Sequence, residues 1–230
     1  SLPGSAKLNI WLKIDTGMHR LGFAVDAIPE IIKEFATLPC VRQVKLMSHF
    51  ASSENLSSQS NLQQIELFDK FTGLEKSFAN SAALVNFPEL QSQWARIGLL
   101  LYGVCLTQEI ADKAKEFVPV MSLSAPIISI KNLRKGDKVG YGGVYECPVD
   151  MQVAIIEMGY GDGYPREISD AAYCLLGSVQ CKIIGRVSMD LMSIALPCSA
   201  SLGDEVEMWG ENLPVVQVAA WANTLPYTLL

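Results

Sequence analysis

Long hydrophobic runs are what this sequence most conspicuously lacks. No stretch of its 230 residues approaches the ~18 consecutive apolar residues of a membrane-spanning helix. The start, Ser1-Leu-Pro-Gly-Ser5, has neither the basic nor the apolar region of a secretory leader, so a cytoplasmic protein is expected. Basic clusters are missing as well: no Lys/Arg run occurs and the net charge is −6, which argues against nucleic acid as a partner. Histidine is scarce, with two in all, and the six cysteines (40, 105, 147, 174, 181 and 198) show no C-x-x-C spacing. No zinc cluster can be assembled from them, so they read as free, mostly buried thiols in a reducing compartment. Internal repeats and low-complexity segments are absent too.

What is present is apolar material: half of the residues are hydrophobic, enough for a sizeable core without staples. The run Lys13-Ile-Asp-Thr-Gly-Met-His-Arg20-Leu-Gly22-Phe organises the rest. Leu8, Ile10, Leu12 and Ile14 alternate with Asn9, Trp11, Lys13 and Asp15, a period of two that predicts a two-faced strand, which Gly17 then ends. At the carboxyl end of a parallel strand, that turn would place Arg20 where open sheets and barrels put their chemistry.

Strand and helix patterns then alternate. Val25, Ile28, Ile32 and Phe35 have helical spacing, with Asp26 as a plausible cap; Val44 to Phe50 reads as a strand; Leu62, Ile65, Phe68, Phe71, Leu74 and Phe78 predict one side of a long helix. Apolar patches follow at Asn80-Ser-Ala-Ala83 and Trp94 to Gly103. At about 30 residues per β/α unit, residues 1–117 hold about four units, half of a (β/α)8 barrel. From Val118 the pattern changes to short apolar runs between turns such as Lys135-Gly-Asp137, Gly140-Tyr-Gly-Gly143 and Leu202-Gly-Asp204, which predicts a mostly β domain over 118–230. The boundary is expected between Lys113 and Pro119.

Several residues could carry chemistry. His49 ends a strand before a polar loop, and either a structural or a chemical histidine fits that position. Asn80 and Ser81, with Gly98 and Leu99, could hold a phosphate through hydroxyl and backbone N–H groups, although Asn-Ser is common in turns. Arg96 lies in an apolar run, where a guanidinium needs an acceptor; a buried salt bridge and a functional contact are both open. Tyr141 is a phenol among glycines, and its use as a base would require nearby positive charge, for which Arg20, His49 and Arg96 are candidates. The glycine-rich runs Gly159 to Arg166 and Gly185 to Asp190 are either tight turns or pocket linings.

Taken together, the sequence resembles the alanine racemases. The resemblance rests on Lys13 to Phe23, Ser48-His-Phe-Ala51, Asn80-Ser-Ala-Ala83, Arg96-Ile-Gly98 with Leu101-Tyr-Gly103, Pro119-Val-Met-Ser122, Val139-Gly-Tyr-Gly142, Met158 to Arg166, Gly185 to Asp190 and Pro226-Tyr227. It implies a (β/α)8 barrel followed by a β domain, pyridoxal 5'-phosphate as cofactor, alanine as substrate, D-alanine for peptidoglycan as product, and a homodimer whose sites borrow residues from the partner. It further implies that Arg96 meets the cofactor's ring nitrogen and that Tyr141, from the partner, is the base on the L-alanine side, tuned by His49 and Arg96. Arg20 would hold the substrate carboxylate, with Lys13 resembling a lysine that is carbamylated to orient it, and with Met189 and Asp190 nearby. Asn80, Ser81, Gly98, Leu99 and Tyr227 match the phosphate-binding positions. Tyr160, Arg166, Arg186 and Glu54 match the corridor to the site, Glu54 standing where the family is expected to have aspartate.

One element of the pattern is missing. The family's Schiff-base lysine lies in an N-terminal motif, and none of the twelve lysines here stands in that context. The expectation is therefore a fragment, inactive alone. Two rival readings are a non-catalytic half-barrel and β module acting by association, and a pyridoxal-phosphate amino-acid decarboxylase. The decarboxylases place a carboxylate at the ring nitrogen, where this chain has Arg96.

Overall fold

The computed structural model describes residues 6–90 and 92–230. The chain divides into two compact units, one ending at Leu101 and including Cys105–Glu116, the other made of Tyr102–Val104 and Phe117–Leu230. Tyr102–Val104 join the second unit because the Val120 N–H donates to the Tyr102 carbonyl, and Gly103 lies so close to Val118 that a Cβ would sit 1.9 Å from its carbonyl oxygen.

In the first unit, β1 (Leu8–Asp15) is followed by a short β2 (Phe23–Ala24), α1 (Ile28–Thr37), β3 (Val41–Met47), α2 (Gln59–Asp69), β4 (Lys76–Ser77), α3 (Ser81–Asn86) and α4 (Gln108–Lys113). The sheet order is β2-β1-β3-β4, all parallel, and Ser77 bridges to Trp94 in the same sense. Beyond β2, each strand lies beside the next in sequence, and the linking helices α1 and α2 pack on the same core. One core results: Leu12, Ile14, Val44 and Leu46 from the strands pack with Ile28 of α1 and Phe68 of α2.

The opposite face is polar and aromatic. The Lys45 ammonium lies 2.7 Å from the Glu75 carboxylate and over the rings of Trp94 (4.5 Å) and Trp11 (5.5 Å). Glu75 also accepts from the Trp94 indole and from Gln43; the Lys45 bond first, then these two, hold its carboxyl down to about 2.

Three expectations are corrected here. The helix predicted as far as Phe78 stops at Asp69, because Gly73 turns the chain with φ +78° and Phe78 lies beyond β4. Its buried face is Asn61, Gln64 and Phe68, whereas Leu62 is 67% exposed. Asp26 does not cap α1, whose N-cap Ala27 makes no side-chain bond and is followed closely by Pro29. The run Trp94–Gly103 forms no strand but one bridge and a 3-10 turn over Leu99–Tyr102, so three helix-linked strands and a bridge stand where four β/α units were expected. This sheet is open, with β2 on its far edge.

The second unit contains β5 (Leu123–Leu133), β6 (Lys138–Val139), β7 (Tyr145–Glu146), β8 (Met151–Ile156), β9 (Tyr173–Leu176), β10 (Val179–Ile184), β11 (Met192–Leu196), β12 (Glu205–Trp209) and α5 (Val215–Trp221). Six of the strands close an antiparallel barrel in the order β10-β11-β8-β5-β12-β9, and β6 pairs with β7 as a separate ribbon. Closure removes the strand edges. Ala125, Ile127, Ile156, Cys174, Cys181 and Val206 are among the residues buried by it.

Candidate active site

At the end of β1 the Asp15 carboxylate shapes a turn. Its Oδ1 accepts from the N–H groups of Gly17 and His19, both at 3.0 Å, and Oδ2 lies 3.2 Å from the His19 Nδ1. The backbone bonds from His19 and then Gly17 hold its carboxyl below the usual range. His19 adopts φ 55°, which that bonding supports. Arg20 follows and is exposed, and Lys13 is half-buried two residues before Asp15 on the strand.

Arg96 closes the neighbouring strand ends. One terminal nitrogen donates to the Ser77 carbonyl (2.9 Å) and hydroxyl (2.6 Å); the other donates to the Ser48 carbonyl (2.5 Å) and reaches the His49 Nδ1 at 3.3 Å. The salt bridge left open by the sequence is not made among the described residues: every acceptor of Arg96 is neutral. Among the described residues the Nε–H has no partner. Because Nδ1 accepts from a guanidinium, the imidazole is held neutral. Burial first, then the charges of Arg96, Arg20 and Lys13, lower the His49 pKa below its ordinary 6.5. Four of the sequence-identified residues thus act on one another.

Next to them is a cradle of donors. The Asn80 side-chain Oδ1 caps α3 by accepting from the Ala83 N–H and also accepts from the Ser53 hydroxyl, beside half-buried Glu54. The Ser81 hydroxyl oxygen accepts from the N–H groups of Gly98 (3.0 Å) and Leu100 (3.3 Å), with Leu99 between them. Both N–H groups are taken up by the Ser81 oxygen, which leaves the Ser81 O–H to donate to an anionic oxygen.

The second unit carries the remaining residues. Tyr141 opens a 3-10 turn, Tyr141–Gly143, and is 71% exposed. A Cβ on Gly142 would lie 3.5 Å from the Arg186 guanidinium, so a cation stands beside the phenol's turn. The Arg166 guanidinium sits 5.7 Å from the Tyr160 ring. The Tyr160 loop is laced to the Met189 turn: Tyr160 N–H donates to the Ser188 carbonyl and Gly161 N–H to that of Met189. Gly159 makes this approach possible, since a Cβ there would meet the Met189 oxygen at 2.2 Å. Met189 and Asp190 are exposed at the tip, and Tyr227 is exposed on the 3-10 turn Pro226–Thr228. The grouping is thus Lys13, Arg20, His49, Glu54, Asn80, Ser81, Arg96, Gly98 and Leu99 in one unit and the rest in the other.

Sequence reading missed Gln64 and Ser77 beneath the site, and quoted Thr16 and Ser48 only within motifs, with no role; the one signal for Gln64 was its spacing with Asn61 and Phe68, which the stronger Leu62 pattern masked.

A parallel β/α sheet whose strand ends hold an arginine, an imidazole and a donor cradle, joined to an antiparallel barrel presenting a phenol, defines a two-domain enzyme-like architecture. Residues 2–105 match the family model "Alanine racemase, N-terminal domain" and residues 120–230 match "Alanine racemase, C-terminal domain". The chain is 42% identical to an alanine racemase of Coxiella burnetii (strain CbuG_Q212), over 98% of this chain and 65% of that protein. It is 39% identical to one from Nitrosococcus oceani, with the same coverage. The structure of the biosynthetic alanine racemase of Pseudomonas aeruginosa superimposes with a TM-score of 0.91 at 36% identity, covering 97% of this chain and 64% of that one. That of Bartonella henselae, with covalently bound pyridoxal phosphate, does so at 0.84 and 26% identity, covering 97% and 63%. The chain belongs to the alanine racemase family, and it spans about 65% of the length of these curated relatives.

Proposed function

We propose that the whole protein is a pyridoxal-phosphate-dependent alanine racemase, a cytoplasmic homodimer supplying D-alanine for peptidoglycan. In this reading the open sheet is part of a (β/α)8 barrel over 1–117, followed by a β domain over 118–230. The six free thiols support a reducing compartment. The cofactor fits the residues present: Ser81 with the backbone of Gly98 and Leu99, beside Asn80, would hold its phosphate together with Tyr227, and the Nε–H of Arg96 would donate to its ring nitrogen. When bound, the cofactor would supply the electron sink that makes the amino acid's Cα–H acidic.

This chain's residues do the rest. Arg96 keeps its own proton, so beside a bound cofactor it would offer the ring nitrogen a hydrogen bond and withhold a proton, which would moderate the electron sink and favour simple proton exchange. Arg20, assisted by Lys13, binds the substrate carboxylate, and the Met189 backbone, with Asp190 beside it, closes over it from the partner. Tyr141 of the partner takes the Cα proton on the L side, supported by His49 and Arg96. Tyr160, Arg166, Arg186 and Glu54 line the way in and select a small zwitterion.

The observation that carries this reading is the Arg96 guanidinium, fixed by four bonds to neutral acceptors with one N–H to spare. The complete gene product should racemise L-alanine, and Arg96→Glu should cut kcat at least tenfold while cofactor remains bound. Absence of turnover in the complete protein, loaded with cofactor, overturns the reading. The 230 residues alone should show negligible turnover, since none of their lysines matches the family's Schiff-base position.

A further inference from the structure

Beneath the site lies a buried polar clasp that the family reading does not use. Gln64, in the middle of α2, is 1% exposed. Its Nε2 donates to the His49 carbonyl (2.9 Å) and to the Thr16 hydroxyl (3.2 Å), and its Oε1 accepts from the Ala51 N–H (3.0 Å). Thr16 in turn shares a 2.7 Å hydrogen bond with the Ser48 hydroxyl, which donates to the Ile14 carbonyl. A single amide thereby ties together the chain leaving β1 and the chain leaving β3. Every bonding group of Gln64 except one lone pair is used, and such a network is worth more to geometry than its separate bonds suggest.

We propose that Gln64 is a positioning residue: by clamping the backbone of His49 and Ala51, it fixes the His49 imidazole against the Arg96 guanidinium. The Ser48 carbonyl, one residue before His49, is also the acceptor of the shortest Arg96 bond, so a shift of this segment displaces both partners together. Gly17 lies beside the Gln64 side chain, where a Cβ would meet the Gln64 Cγ in ordinary contact at 3.5 Å. The inference deepens the racemase reading, because it assigns that site its support, but its geometry needs only this chain.

The test separates the two. Gln64→Met keeps length and flexibility and removes the bonding, and Asn61→Ala is the control. Asn61 is equally buried on the same helix and bonds the Ser52 and Asn55 carbonyls, away from His49. Imidazole titrations by long-range 1H–15N NMR on the complete gene product, with His49→Gln used for assignment, read the contact directly. Three charges face His49, those of Arg96, Arg20 and Lys13. In Gln64→Met the imidazole should drift into water and away from them, so its titration midpoint should move upward. Amide exchange at Ala51 should accelerate by about fivefold or more as its bond to Oε1 is lost. In Asn61→Ala neither should change. Thr16→Val, a smaller perturbation, should move the midpoint in the same direction by less. If Gln64→Met leaves the midpoint where it was, or if both variants shift it equally, Gln64 is only a packing residue and the proposal fails. Neither result depends on turnover, so failure of the racemase reading would appear separately.

Discussion

A guanidinium half withdrawn from water ordinarily recruits a carboxylate, and losing that partner is strongly destabilising. Arg96 is satisfied instead by carbonyls, a hydroxyl and a ring nitrogen, and the consequence falls on His49. An imidazole that accepts from a permanent cation gains nothing by protonating. Its folded pKa lies below the 6.5 of the unfolded chain, so its contribution to stability is complete above about pH 6.5 and is lost as pH falls through the lowered value. His49→Gln should remove that dependence. Urea midpoints followed downward from pH 7 should fall less steeply for the variant than for the parent, and equal slopes would show that His49 is not protonation-coupled to folding. The sequence marked both residues, since an arginine inside an apolar run and a histidine at a strand end are conspicuous letters. It could not mark their acceptors, because backbone carbonyls have no letter.

At the scale of elements, legibility followed periodicity. The alternation over Leu8–Ile14 was long enough to fix both the strand and its faces. The helix predicted beyond Asp69 failed because Phe71, Leu74 and Phe78 continue a helical spacing by chance, while Gly73 breaks the path with a positive φ. Closure of the second unit into a barrel was not legible, because the pairings that close it, β8 with β11 and β12 with β5 and β9, join segments far apart in sequence. Glycine chemistry divides in the same way. Gly22 has φ +131° and comes so near β1 that a Cβ would lie 2.6 Å from the Asp15 nitrogen. Gly177, in the turn between β9 and β10, has φ +59° with nothing within 4 Å. Gly22→Ala should therefore cost about 2 kcal/mol or more in urea denaturation, through strain and clash combined. Gly177→Asn should stay within about 0.5 kcal/mol, since asparagine tolerates the left-handed region. A neutral Gly22→Ala would mean that the β1 turn adapts and is not held in register by that contact.

For the molecule as a whole, the two units face water on different terms. The six-stranded barrel has no free edge, whereas in the first unit β2 covers β1 only at Ile14 and Asp15. Among the described residues nothing pairs with the outer side of β1 from Leu8 to Lys13, and Trp11, Leu21 and Phe23 are exposed in that region. A net charge of −6 disfavours non-specific collapse but does not satisfy backbone groups. An unpaired strand with apolar neighbours is a template for another chain. The 230-residue chain should accordingly associate as its concentration rises through the micromolar range, with sedimentation velocity showing species larger than a monomer. Hydrogen exchange locates the contact: association should add protection to the amides of Leu8–Lys13 and leave those of β5 and β8 to β12 unchanged. A monodisperse monomer across that range would mean that the β1 edge is guarded by its own surroundings. Protection gained in the barrel instead would move the self-association to the second unit.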